Sequence, residues 1–587
     1  MSLSCYNFLM WWKDSVVYQI YPRSFQDSGE TIYPNDGFGD IPGIITRLDE
    51  IKELGANIIW LSPVYRSPDA DNGYDISDYY VINPRFGTME DMDHLFAEAK
   101  KRDIKIIMDL VINHTSDEHA WFQQSRSHKS PYRDYYIWRP GKSDRRGRKQ
   151  PPNNWTGFFA GDTWEYDIQS GEYYLHLFDK KQPDLNYKNP KVIEEVKNIL
   201  RFWLEKGASG FRCDVINIIY KSSLADGKKS MTVQGLEHYK SQEGNHAVLR
   251  EFRRDVLDHY DCFTVGETVF VDLHDAKLLC DENRKELNML FFFDHLEVDR
   301  RIARFIPKKF SARKLLEVMT KWQQGLDWNA VYLENHDQSR IVSHFGAGEK
   351  HKGSNGKPGK YWERSAKMIA LFQLTLRGTP FIFQGQEIGM TNFDFKSLDE
   401  VNDVESHGLN KLMKKFLIPK ALRWKWIKAS SRDNSRTPMQ WDNTENAGFS
   451  KVKPWLGINK NYKYINYSSQ KNNPDSVLSF YKKLITLRKE TKCIVHGEFL
   501  PVFADSRLMI YQRKLDEETF TIALNFSYRS VSLPKKFAPL FVGTLIANAS
   551  GANASGTKVS GVYASGAKPE NVLLPWDGVL IKSERQS

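Results

Sequence analysis

The chain has 587 residues, of which 41% are hydrophobic and 13% aromatic, enough for a large globular core. Its formal charge of +10 arises from 83 basic and 73 acidic residues spread along the sequence, and the densest basic run, KSDRRGRK at 142–149, is too short to argue a nucleic-acid surface and reads as a solvated loop. Five scattered cysteines without a CxxC pair favour reduced thiols in a cytoplasmic protein over a disulfide framework, no apolar run approaches a membrane span, and the apolar patch at 7–12 lacks the basic start and cleavage-like site of a signal peptide.

Eight strand candidates follow in chain order, at 16–21, 57–61, 105–111, 210–215, 263–265, 289–293, 330–333 and 380–383. Amphipathic helical stretches separate most of them: 44–54, 89–101, 192–206, 247–257 and 365–376. Strands alternating with helices argue for βαβ units and a parallel sheet, and eight of them argue for a closed (β/α)8 barrel. Residues 114–188, rich in Trp, Tyr, Gly and Pro, interrupt the rhythm after the third strand and predict an inserted subdomain at the active face. A second interruption at 388–460 is expected over the same face. From about residue 501 the pattern turns to short alternating runs at 508–512 and 519–525 with Gly/Ser-rich turns at 549–566, which predicts a C-terminal antiparallel β-domain, drawn here as a sandwich. The expected division is therefore a barrel of residues 1–113 and 189–500, an insert of 114–188, and a β-domain of 501–587.

Three carboxylates end three of the strand candidates: Asp214 in GFRCDVIN, Glu267 in FTVGE and Asp337 in YLENHD. Strand ends converge on one face of such a barrel, where chemistry is built. Carboxylates gathered there suit glycosidic bond cleavage, which needs an acid/base and a nucleophile. Structural ion pairing at the strand ends is the alternative reading of the same residues.

Further motifs, in order, turn this into a resemblance. Asp109 to His114 (DLVINH), Gln182 to Asn186 (QPDLN), the three carboxylate segments and Ser431 to Asp442 (SRDNSRTPMQWD) together resemble the α-amylase family, glycoside hydrolase family thirteen, and within it the oligo-1,6-glucosidase and sucrose isomerase group. The resemblance runs through nearly the whole chain. It implies that Asp214 is the nucleophile, Glu267 the acid/base, and Asp337 a transition-state stabiliser that holds sugar hydroxyls. Arg212, on the same side of the strand as Asp214, is expected to keep it ionised, whereas desolvation and neighbouring carboxylates keep Glu267 protonated. Tyr74 is expected to stack on the terminal glucose. His114 and His336 are expected to donate to the same sugar, although each alone would read as a buried, satisfied histidine. Asp75 and Arg432 are expected to hold the far hydroxyls of that glucose and close the pocket, which would make the enzyme exo-acting; an ordinary salt bridge between the two is the alternative reading. Val215, after the nucleophile, goes in related enzymes with α-1,6 linkages.

The resemblance therefore implies hydrolysis of isomaltose and short isomalto-oligosaccharides by a monomer that needs no organic cofactor and binds neither nucleic acid nor membrane. Two alternatives share nearly all the motifs. A sucrose isomerase would carry an Arg-rich segment where this chain has Leu296 to Arg301 (LEVDRR), which keeps only the Asp-Arg pair. A trehalose-6-phosphate hydrolase requires a basic acceptor pocket. Finally, the family often holds calcium after the first strand. Here the loop at 27–40 carries a five-residue insertion, and Asp27, Asp36 and Asp40 could supply oxygen ligands to Ca²⁺ or Mg²⁺.

Overall fold

The computed structural model describes residues 10–34, 36–159, 161–230, 233–300, 306–348, 356–537, 543–547 and 572–583. Cys5, Asn35, Arg301 and the turns at 549–566 lie outside the described residues. Eight parallel strands form the centre: β1 (Val17–Ile20), β2 (Ile58–Leu61), β3 (Lys105–Leu110), β4 (Gly210–Cys213), β5 (Phe263–Glu267), β6 (Met289–Phe291), β7 (Ala330–Val331) and β8 (Thr379–Phe383). Their hydrogen-bonded order, β6-β5-β4-β3-β2-β1-β8-β7, is a (β/α)8 barrel in sequential order, nearly closed. At the seam between β6 and β7 side chains replace the ladder: the Tyr332 hydroxyl donates to the Phe292 carbonyl (2.9 Å) and its ring meets Phe291 edge-on.

The strands are short, apolar and buried on both faces, as parallel strands covered by helices must be. Helices α1 (Met89–Lys101), α2 (Pro190–Lys206), α3 (Glu243–Asp255), α4 (Ala312–Gly325) and α5 (Trp362–Leu374) pack outside. Their starts follow local chemistry. Thr88 and Asp91 cap α1 reciprocally, and Asn189 followed by Pro190 opens α2, so the helix begins two residues ahead of its apolar periodicity. Gly210 opens β4 at φ +141°, and a Cβ there would stand 2.0 Å from the Phe263 carbonyl. Only glycine lets β4 and β5 come that close, and these are the strands that carry Asp214 and Glu267.

Between β3 and α2 lies a three-stranded antiparallel sheet, Trp138–Arg139 with Glu172–Leu175 and Trp164–Asp167. Its Trp164, Tyr173 and Leu175 join Trp155 in a small core of their own. The basic run at 142–149 spans a small exposed hairpin, Lys142–Ser143 against Lys149–Gln150, in keeping with a solvated loop. After β8, helices α6 (Val404–Lys415) and α7 (Lys420–Ser430) rise over the strand ends. At the C-terminus five antiparallel strands start at Glu498, slightly before the expected boundary, and a two-stranded ladder of Val531–Ser532 with Val572–Leu573 lies apart from them. Cys213, Cys262, Cys280 and Cys493 are free, and Cys213 packs in the barrel core. Among the described residues no helix is long and apolar enough to cross a membrane.

Candidate active site

Parallel register assembles the site. Arg212 of β4 pairs with Asp109 of β3 on one side, and Cys213 pairs with Gly266 of β5 on the other, which brings Asp214 beside Glu267 one residue further on. Arg212 and Asp214, two apart on a strand, share a face. The result is one buried guanidinium holding three carboxyls: Nη1 donates to Asp109 Oδ1 (2.8 Å) and Asp214 Oδ1 (2.6 Å), and Nη2 donates to Glu267 Oε2 (2.5 Å). Asp214 and Glu267 are thereby held side by side on the same guanidinium. A shared guanidinium suits a retaining pair, whose carboxyls stand about 5 Å apart, better than the wider gap that admits a water between them.

The charges correct one expectation. Arg212 does not decide the state of Asp214: burial raises it well above the usual carboxylate range, and the neighbouring Glu267 and Asp109 reinforce burial against the guanidinium. With three carboxyls around one cation in a buried pocket, the ionised form of Asp214 is disfavoured.

Asp337 sits in the opposite situation. It accepts from Arg436 Nη2 (2.5 Å) and lies 3.4 Å from Arg432 Nη1. Burial opposes its ionisation, but His336, Arg432, Arg436 and Arg212 outweigh burial and hold it far below the usual range. Burial also keeps His336 neutral, down to about 3, so the arginines carry the effect.

The three carboxylates open into one cavity of about 900 Å³, also lined by Asp71, Tyr74, His114, Phe159, Phe178, Gln182, Val215 and Arg432. The Tyr74 ring stacks on His336 (5.2 Å between centroids), and its hydroxyl donates to Asp109 Oδ2 (3.0 Å). His336 does not line the cavity. Its Nδ1 meets Gln19 Nε2 at 2.8 Å and its Nε2 meets the Tyr74 hydroxyl at 2.7 Å, so it holds Tyr74 in place rather than facing the open space. His114 faces the cavity, and burial lowers it to about 4, which leaves the ring neutral. Val215 lines the cavity at φ +37°, a left-handed conformation that a β-branched side chain resists.

Asp75 is the second correction. Its carboxyl is fully buried and turned into its own loop, where it accepts from Ser67 Oγ (3.0 Å), Ala70 N (2.8 Å) and Asp71 N (2.9 Å). Asp71 takes the place assigned to it: Asp71 Oδ1 lies 3.3 Å from Arg432 Nη2. Asn72 at φ +54° and Gly73 at φ +100° form the left-handed turn between the two aspartates and send them to different sides. Arg432 also reaches Asp403 through Nε (2.7 Å), so it ties together the loops after β2, β7 and β8. Its guanidinium lies 5.1 Å from the Phe159 ring of the inserted segment. Asp71, Arg436, Phe159 and Phe178 were not singled out from the sequence. Asp71 carried a signal, four residues before Asp75 in one motif. The two phenylalanines carried none beyond the aromatic richness of the insert.

In the loop at 27–40 the three aspartates each have protein partners. Both Asp40 oxygens are engaged: Oδ1 caps the helix at Gly43 N (2.7 Å), and Oδ2 accepts from the Ser28 backbone and hydroxyl. Asp36 faces Arg85 Nε at 3.3 Å, and Asp27 accepts from Gly29 N and the Ser450 hydroxyl. Among the described residues no group of three or more His, Cys, Asp or Glu converges on a metal position.

A nearly closed (β/α)8 barrel whose C-terminal strand ends bring two carboxyls together on one arginine, in a cavity bounded by sugar-sized aromatic and charged walls, defines a retaining-type glycoside hydrolase. The α-amylase catalytic domain matches residues 19–497, and the chain belongs to the α-amylase family, in its oligo-1,6-glucosidase and sucrose isomerase group. It is 48% identical to an oligo-1,6-glucosidase of Parageobacillus thermoglucosidasius over 89% of this chain and 91% of that protein, and 46% identical to an oligo-1,6-glucosidase of Bacillus cereus over 92% and 95%. Among solved structures, isomaltulose synthase from Klebsiella sp. LX3 superposes with a TM-score of 0.87 at 40% identity, covering 97% of this chain and 99% of that one. Trehalose-6-phosphate hydrolase from Bacillus licheniformis superposes at 0.86 and 40%, covering 98% and 100%.

Proposed function

We propose that the protein is an exo-acting oligo-1,6-glucosidase that removes glucose from the non-reducing end of isomaltose and short isomalto-oligosaccharides with retention. The observation that carries this reading is the carboxyl pair Asp214 and Glu267 on one guanidinium, with the Asp71–Arg432 ion pair across the same cavity. Asp214 attacks the anomeric carbon as the glycosidic C–O bond breaks, and Glu267 delivers its proton to the departing oxygen. Water then attacks the glucosyl ester, Glu267 takes the water's proton, and Asp214 leaves as a carboxylate. Asp337, held ionised by two arginines, binds sugar hydroxyls and favours the cationic transition state. Arg432 and Asp71 hold the far hydroxyls of a single glucose, which limits the cut to one residue from the chain end. Val215 crowds the leaving-group side and selects the more flexible α-1,6 linkage. Each step uses side chains alone and needs no organic cofactor. The free cysteines suit a reducing, cytoplasmic compartment.

The experiment is product analysis with isomaltose, maltose, sucrose and trehalose 6-phosphate offered in parallel, with proton NMR of the first anomer formed. Fastest release of α-glucose from isomaltose supports the reading. Isomaltulose from sucrose would instead make the protein a sucrose isomerase, a reading favoured by one feature, the placement of Glu297 and Arg300 on the cavity wall. Preference for trehalose 6-phosphate would point to Lys411 and Lys415 on the same wall.

A further inference from the structure

Behind His114 lies a buried lysine that the reaction above does not use. Lys221, 4% exposed, follows β4 and sends its ammonium into the seam between the barrel and the inserted segment. There Nζ stands 2.6 Å from Asp184 Oδ2 and donates to Asn113 Oδ1 at 2.8 Å. Asn113 in turn places Nδ2 3.1 Å from Nδ1 of its neighbour His114.

The order of donors along this chain is forced. An ammonium has hydrogens and no lone pair, so the Asn113 atom facing Lys221 is the carbonyl oxygen and the atom facing His114 is the amide nitrogen. An amide NH₂ only donates, so His114 Nδ1 must be a bare acceptor. A neutral imidazole carries one hydrogen, which therefore resides on Nε2. The other end of the ring agrees: Nε2 lies 3.0 Å from the Tyr74 carbonyl, which can only accept. Gln182 Nε2 lies 3.0 Å from the same ring nitrogen but directs its two hydrogens elsewhere. The backbone N–H of Asp179 holds Gln182 Oε1, turning its NH₂ toward the Tyr74 carbonyl and Asp71.

We propose that Lys221 is a positioning residue that fixes the tautomer of His114 through Asn113, so that Nε2–H donates to the Tyr74 carbonyl and locks the His114 ring and the Tyr74 loop at the cavity wall. Asp184 holds the ammonium in place. His114 enters every turnover as a neutral donor, and its orientation depends on the lysine without any contact between the two. The consequence for turnover rests on the glucosidase reading. The tautomer itself does not.

Two variants and two readouts test this. In protein carrying ¹⁵N-histidine, long-range ¹H–¹⁵N correlation distinguishes a protonated Nε2 from a protonated Nδ1, and His114→Gln assigns the signal by its disappearance. The wild-type protein is expected to show His114 with hydrogen on Nε2. Lys221→Met with Asp184→Asn, which removes both buried charges together, frees the Asn113 amide to turn. Mixed tautomers and a kcat/KM for isomaltose lowered by about 3- to 10-fold, the value of one hydrogen bond, are then expected. Asn113→Asp places an acceptor against Nδ1 and moves the hydrogen there. It is expected to raise the His114 pKa, adding a new ionisation to the pH profile. The proposal is overturned if the wild-type ring carries its hydrogen on Nδ1, or if either variant leaves the ¹⁵N signature unchanged. A protein inactive on isomaltose that still shows the Nε2–H tautomer and its loss in the variants sinks the functional reading while leaving the lysine's role intact.

Discussion

The two ends of the cavity contain the same side chains in opposite proportion. At the strand ends of β3, β4 and β5 one guanidinium, Arg212, serves Asp109, Asp214 and Glu267. Across the cavity two guanidiniums, Arg432 and Arg436, converge on Asp337. Asp337 is also the more exposed, at 25% of its side chain against 9% for Asp214 and Glu267, but exposure alone does not set its charge. The ratio of cations to carboxyls does: where acids outnumber the cation, Asp214 is pushed above the usual carboxylate range, and where cations outnumber the acid, Asp337 stays ionised. Carboxyls shifted in opposite directions thus arise from identical side chains by the number of cations beside them.

The largest effect that can break this comparison is Asp214→Asn, which should lower kcat on isomaltose by about 10⁴- to 10⁶-fold, as loss of a nucleophile does. Glu267→Gln should cost about 10²- to 10⁴-fold on isomaltose and far less on an aryl glucoside, whose leaving group departs unprotonated. Equal losses on both substrates would remove Glu267 from the acid role. Next come the two aspartates of one motif. Asp71→Asn, which takes away a partner of Arg432, should reduce kcat/KM by about 10- to 100-fold with little change in stability. Asp75→Asn should mainly lower the melting temperature, because its oxygens hold the turn rather than the sugar.

Stability should separate the two ends by sign. Asp214 is raised on folding, so its contribution is present below the unfolded pKa of about 3.9 and is lost as pH rises through the raised value. Asp337 is lowered, so its contribution is present above about 3.9 and lost as pH falls through the lowered value. At pH 7, Asp214→Asn should therefore raise the apparent melting temperature by about 1–3 °C, and Asp337→Asn should lower it by a similar amount. Shifts of the same sign, read by differential scanning fluorimetry, would refute the charge-counting account. The smallest effect is expected at Val215. Replacement by Ala should erode the preference for isomaltose over maltose by about 10-fold, since one side-chain contact discriminates by only 1–3 kcal/mol.

The barrel was legible because each strand is a short, largely apolar run set between helical stretches or loops, and the order of motifs marked the catalytic strand ends. Three things were not legible, each for a spatial reason. Asp71 and Asp75 share one motif, and only the left-handed pair Asn72 and Gly73 shows which of them faces the cavity. His336 reads as a sugar ligand by its place before Asp337, yet both its ring nitrogens are taken up by Gln19 and Tyr74. The state of Asp214 depends on Asp109 standing in register with Arg212, a relation between strands far apart in sequence.

Arg432 has one further consequence, for a chain as it is being made. The nucleophile, its arginine and the acid/base lie on β4 and β5 and can meet as soon as those strands pair. Arg432, which ties the loops after β2 and β7 to the segment after β8, is synthesised long after them. A nascent chain can therefore bury its reacting carboxyls while still lacking the clamp that measures out one glucose. The ability to cut sugar singly from a chain end is the last property of the site to be acquired.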